Sequence, residues 1–93
     1  MNQVVLDAQL TERGAMRYTP AGLPALDLLL SHESLVTEAG MPRKVRMELK
    51  AVVIGALAER LNRIELGSVH RFSGFLASQR NGRGVVLHVT ELP

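Results

Sequence analysis

Apolar and polar residues alternate along most of this chain. In VVLDAQL, residues 4–10, Val4, Leu6, Ala8 and Leu10 fall on one side, and Asp7 and Gln9 on the other. A repeat of two is that of a strand with one buried face. The pattern breaks from Thr11 to Met16, and TPAGLP, residues 19–24, reads as a turn in which Pro20 fixes φ and Gly22 admits a positive one. ALDLLLSHESLV, 25–36, could be helical by composition, because leucine favours both states. It reads better as a second strand, with Leu26, Leu28, Leu30 and His32 on one face, Asp27 opposite, and a proline-bounded hairpin leading in. TEAGMP, 37–42, is another turn. RKVRMELKAVVIG, 43–55, resumes alternation, with Val45, Met47, Leu49 and Ala51 inward and Lys44, Arg46, Glu48 and Lys50 outward.

After Gly55 the period changes. Leu57, Leu61 and Ile64 recur at helical spacing, which predicts one amphipathic helix of about ten residues within 56–67, closed by Gly67 as its C-cap. SVHRFSGFLAS, 68–78, returns to alternation, with His70, Phe72, Gly74 and Leu76 on one face. A strand glycine such as Gly74 marks a sharp bend or a close backbone approach. NGRG then leads into a last strand, GVVLHVTEL.

The order is three strands, a helix and two strands, with none of the strand–helix alternation of a parallel sheet. This predicts an all-β fold: a five-stranded Greek-key barrel of the oligonucleotide/oligosaccharide-binding (OB) type, with its short helix between strands 3 and 4 plugging one end. An SH3-like barrel is the rival, and a mid-chain helix suits it less well. Ninety-three residues make a single domain, 1–93, with one small core. The three aromatics are Tyr18, Phe72 and Phe75, so that core is aliphatic. Without cysteine, disulfides and thiolate metal sites are excluded. The N-terminus does not read as a signal peptide, and no apolar window approaches the roughly 18 residues of a membrane span. A soluble, cytoplasmic protein is expected.

Eleven Lys and Arg against nine Asp and Glu give a formal charge of +2, a weak pointer to nucleic acid. Distribution says more: Arg13, Arg17, Arg43, Lys44, Arg46, Lys50, Arg80 and Arg83 fall in or beside loops and strand ends, where folding can gather a basic footprint. NGRG is no P-loop, since it lacks the Gly-Lys-Ser/Thr ending and no helix follows it. Asn81-Gly82 instead predicts a tight hairpin, from which Arg80 and Arg83 project over the groove of an OB barrel. On the third strand Lys44, Arg46 and Lys50 share the outer face; they could order phosphates, or be a solvated or guarded edge. Phe75 and Tyr18 are the aromatics able to face outward, few for base stacking, so electrostatics would carry single-strand binding and make it weak and salt-dependent. An RNA-binding barrel of the cold-shock type is disfavoured for the same reason.

No catalytic constellation stands out. Asp7, Asp27 and Glu48 lie on different strands, His32, His70 and His88 form no local ligand pair, and Ser73 and Ser78 lack a nucleophile elbow. No enzyme, cofactor or metal is expected. VVLDAQL and AVVIG are aliphatic and lightly charged, and an exposed barrel edge at the first strand would want cover; two barrels pairing through such strands would make a homodimer with one extended groove.

The opening VVLDAQLTE, SHESLVTEAG (31–40), AVVIG (51–55), ELGSVHRFSGFL (65–76) and NGRGVVLHVTEL (81–92), in this order and spacing, resemble the primosomal replication protein N (PriB) family, which is akin to single-stranded DNA-binding proteins. The resemblance covers essentially the whole chain. It implies a homodimer of OB barrels, not an enzyme, that acts at the nucleoid in restart of stalled replication forks. Such a protein binds single-stranded DNA, helps the restart helicase PriA and in some bacteria works with the loader DnaT. The family's DNA contacts fall here on His32–Glu33, Arg46, and Arg80 with Arg83. With the charge pattern, the candidate nucleic-acid-binding residues are Arg46, Arg80, Arg83, Lys44, Lys50, Arg43, His32, Arg17 and Phe75. Two departures stand out: Glu33 where the best-known members carry a basic residue, and Arg46 where they carry an aromatic. Weaker single-strand binding follows from both. The alternative is a protein-recruiting adaptor of the restart helicase with negligible DNA affinity.

Overall fold

Each alternating segment becomes a strand, and the one helical segment a helix. A computed structural model describes residues 1–93 as β1 (Val4–Arg13), β2 (Arg17–Tyr18), β3 (Pro24–Glu38), β4 (Met41–Ile54), α1 (Ala56–Leu61), β5 (Val69–Ser78) and β6 (Val85–Glu91). The strands run β1-β5-β6-β4-β3, and β1 also pairs with β3, which closes a five-stranded barrel. All of these pairings are antiparallel except β4 with β6. This is the predicted OB barrel, with α1 between its third and fourth strands. The two-residue β2 is an addition, pairing with the start of β3.

Closure depends on β1. It pairs with β5 over Val4–Gln9 and with β3 over Gln9–Arg13, and a bulge lies between Leu10 and Glu12. That bulge is why alternation fails at Thr11 although the strand continues: one extra residue shifts the side chains by one face and bends the strand toward its second partner. Inside the barrel, Leu10, Leu26, Leu30, Val53, Leu61, Phe72 and Leu87 are fully buried. α1 closes one end with Ala58 and Leu61, and Leu57 and Ile64 pack against the same cluster. The helix is shorter than the periodicity predicted. It ends at Leu61 with Asn62 as a right-handed cap, so Gly67 is not its C-cap. Gly67, at φ 90°, instead turns the chain so that its N–H donates to the Leu10 carbonyl at 2.7 Å, tying the loop to β1.

Gly74 fulfils its sequence reading. A Cβ there would stand 1.7 Å from the His88 carbonyl oxygen, so β5 and β6 meet closely at the register shift between Ser73 and Gly74. The tight hairpin, however, lies elsewhere. Ala39 (φ 52°) and Gly40 (φ 76°) join β3 to β4 as a two-residue turn with both central residues left-handed. Asn81 and Gly82 keep negative φ within a six-residue loop, 79–84, closed by Gln79 N–H donating to the Gly84 carbonyl at 3.1 Å. The predicted Asn-Gly turn is corrected accordingly: Ser78 pairs with Val85, and with the strands ending there the loop is too long to need the primed turn.

The β3–β4 hairpin runs far past the barrel, with an unbroken ladder from Ala25–Ile54 to Glu38–Met41. Beyond His32 no third strand covers it. Met47, expected inward, is therefore exposed on the projecting arm, as are Val36 and Met41. AVVIG is not an open edge: Ala51, Val52 and Val53 are buried between β3 and β6. On the barrel itself an unpaired edge lies on β1, whose residues Val4–Ala8 have β5 on one side only.

Candidate nucleic-acid interface

Three elements frame a trough of about 810 Å³ on the outer face of the barrel. One wall is the loop between β1 and β3, with Arg17, Tyr18 and Pro20. The floor is β3 and β4, with Asp27, Leu29, Lys50, Val52 and Ile54. The other wall is β6, with Val86 and His88, and the start of the 79–84 loop, with Gln79 and Arg80. The pleat explains the floor: Leu28 and Ala51 are buried, so their neighbours Asp27, Leu29, Lys50 and Val52 are turned outward.

The candidate residues divide into three groups. Lys50 and Arg80 line the trough, and Arg83 stands exposed on the same loop as Arg80; none of the three has a carboxylate within ion-pair distance. Phe75, across the ladder from His88, stacks on its imidazole at 4.7 Å and 8°, a platform whose His88 member lines the trough. Arg17 also lines the trough but grips Asp27 through two hydrogen bonds, Nε to Oδ2 and Nη2 to Oδ1, each 3.1 Å.

Arg43, Lys44 and Arg46 lie on the arm, and all are paired. Arg43 Nη1 donates to Glu38 at 2.7 Å. Arg46 Nε and Lys44 Nζ meet the same oxygen, Oε1 of Glu33, at 3.1 and 3.2 Å. The Lys44 and Arg46 hydrogen bonds hold the Glu33 carboxyl below its ordinary value. His32 is turned to the opposite face of the arm. Its Nδ1 lies 2.6 Å from the Asp7 carbonyl, which can only accept, so Nδ1 carries the proton and Nε2 can accept from the Ser34 hydroxyl at 2.8 Å. In that position it caps part of the unpaired β1 edge.

Arg13, counted in the basic footprint, donates to the Leu61 and Ile64 carbonyls and fixes the loop after α1. His70 approaches Ser68 Oγ at 2.8 Å and sits edge-on to Phe72. No cluster of three His, Cys, Asp or Glu has the geometry of a metal site. Tyr18 is not among the residues that charge pattern and resemblance single out for the site. It is highly exposed and lines the trough because β2 pairs Arg17 with Ala25 and Tyr18 with Pro24, an annexed strand too short to show a period.

Comparison with known proteins agrees with this architecture. A family described as "Another single-strand binding protein family" matches residues 2–91. Replication restart protein PriB of Bordetella pertussis is 49% identical over 92 residues, covering 98% of this chain and 86% of the relative. PriB of Nitrosomonas europaea is 40% identical over 91 residues, covering 97% and 84%. The solved structure of PriB from Ralstonia solanacearum superposes with a TM-score of 0.91 at 40% identity, covering 100% of this chain and 96% of that one. The single-stranded DNA binding protein of Thermus aquaticus superposes at 0.77 with 32% identity, this chain spanning 49% of it. An OB barrel with this strand order, matched along nearly its whole length at such identity, belongs to the PriB family of replication restart proteins, within a single-strand binding protein family.

Proposed function

We infer that this protein is a primosome accessory factor that holds single-stranded DNA in the trough between the 14–23 and 79–84 loops. The carrying observation is that Lys50 and Arg80, cations without carboxylate partners, border one trough that also offers Tyr18 and the edge of the Phe75–His88 stack. Phosphates take the cations and bases take the flat faces, which is how OB barrels hold single strands. Few cations and few aromatics make the binding weak and salt-dependent. The protein supplies no chemistry. It binds DNA at a stalled fork and stimulates or recruits the PriA helicase, and where a loader such as DnaT is present it takes part in the hand-over. A second copy pairs along the part of the β1 edge that His32 leaves open, where Val5 is exposed, giving a homodimer.

Fluorescence anisotropy with labelled oligo-dT across a salt series tests the DNA claim. Lys50→Ala/Arg80→Ala/Arg83→Ala is expected to weaken binding and to flatten the log–log salt slope by about 2, near 0.7 per lost phosphate contact. A folded wild type that binds no oligonucleotide at low salt, yet stimulates PriA unwinding of a forked substrate, would establish the adaptor role instead.

A further inference from the structure

Glu33 draws two cations of the arm onto one carboxylate oxygen. On the outer face of the arm the paired residues run Leu29–Lys50, Ser31–Glu48, Glu33–Arg46 and Leu35–Lys44, so the row that begins on the trough floor at Lys50 continues to Arg46, about 13 Å along the strand, and then to Lys44. A strand of DNA leaving the trough along this row meets two cations whose donors already converge on one anionic oxygen, Glu33 Oε1, at 3.1 and 3.2 Å. A phosphate oxygen accepts the same charge-assisted hydrogen bonds from an arginine and a lysine. Building on the single-strand reading above, we propose that Glu33 is an intramolecular phosphate mimic that masks Lys44 and Arg46 and so sets the affinity and the length of the DNA-binding track.

The masking is reversible because the clamp is open to water. The Glu33, Lys44 and Arg46 side chains are 56%, 61% and 70% exposed, and exposed pairs of this kind are weak enough for a competing phosphate to displace. Glu48 is the internal contrast. It lies on the same face one pair nearer the trough, carries the same charge and grips no cation.

The test measures oligo-dT binding by anisotropy across salt for the wild type, Glu33→Gln, Glu48→Gln, Lys44→Ala/Arg46→Ala, and the last combined with Glu33→Gln. Circular dichroism verifies folding of each. Glu33→Gln is expected to bind about tenfold tighter at low salt, with a slope steeper by roughly 0.7 to 1.4, the equivalent of one or two further phosphates. Glu48→Gln removes a carboxylate from the same row without freeing a cation, and should gain no more than about threefold. In the background lacking Lys44 and Arg46, Glu33→Gln should change nothing. An equal gain from Glu48→Gln, or a gain that survives without the two cations, would show general charge repulsion and overturn the masking proposal. So would an unchanged Glu33→Gln beside a wild type that binds through Lys50 and Arg80, which leaves the trough reading intact. If neither wild type nor Glu33→Gln binds, both readings fail.

Discussion

Replacing Gly74 with alanine probes the contact on which barrel closure and the Phe75–His88 platform both depend. The added Cβ would stand 1.7 Å from the His88 carbonyl oxygen, 2.8 Å from its carbon and 3.1 Å from Val89 Cα, whereas Cβ atoms essentially never come within 3.0 Å of a neighbour. The obstruction is backbone, so no rotamer relieves it, and β5 or β6 must retreat by more than an ångström. Overpacking alone costs about 1–3 kcal/mol. Retreat also weakens ladder hydrogen bonds near the Ser73–Gly74 shift, each worth roughly 1 kcal/mol net. A loss of about 3 kcal/mol follows, against the 5–15 kcal/mol that holds a typical domain together. For a chain of this length that lowers Tm by roughly 12–24 °C. Denaturant titration and thermal melting followed by circular dichroism would measure it. A melting point within about 4 °C of wild type would refute the claim that the strands cannot separate cheaply here.

Four further outcomes are expected. Phe72→Ala, which empties the one fully buried aromatic site, should destabilise by about 3–5 kcal/mol in denaturant titration. Ala39→Asn places a residue tolerant of positive φ in the two-residue turn, and should stabilise by roughly 0.5–1 kcal/mol in the same assay. The Glu33 carboxyl is held below 4.5, so it stays ionised and its mask stays in place down to about pH 5; the affinity gap between Glu33→Gln and wild type should persist there, and close as pH falls through the lowered value and the wild-type carboxyl is neutralised. Asp7, lowered below 3.8 chiefly by its hydrogen bond from Arg71, contributes stability above its unfolded value that is lost as pH falls through the folded one; because the pair is exposed, Asp7→Asn should scarcely move Tm at pH 7.

Much of this protein is written in its period. Alternation placed the five long strands, since a half-buried strand must put every second side chain in the core, and the switch to spacings of four and three placed α1. Gly74 was legible for a similar reason: a strand position without a side chain leaves room for a neighbouring backbone. The limits of the period were equally physical. The bulge after Leu10 hides a continuing strand, because two residues there oppose one. Asn81-Gly82 tolerates a primed turn without requiring one, and Ala39-Gly40 adopts one because fourteen paired residues on each side fix the register to it.

For the site, the sequence by itself determined which residues could meet an anion. Only the fold decided which of them are available to do so. Arg46, Lys44 and Lys50 are equivalent by pattern, all outward on one strand. Yet β3 sets Glu33 opposite Arg46, in reach of Lys44, and sets Leu29 opposite Lys50. Arg17 and Arg80 come from loops more than sixty residues apart in the chain and line one trough, one gripped by Asp27 and the other unpaired. The pairing of charges depends on cross-strand register and barrel closure, which are long-range, while pattern and spacing report only what lies nearby along the chain.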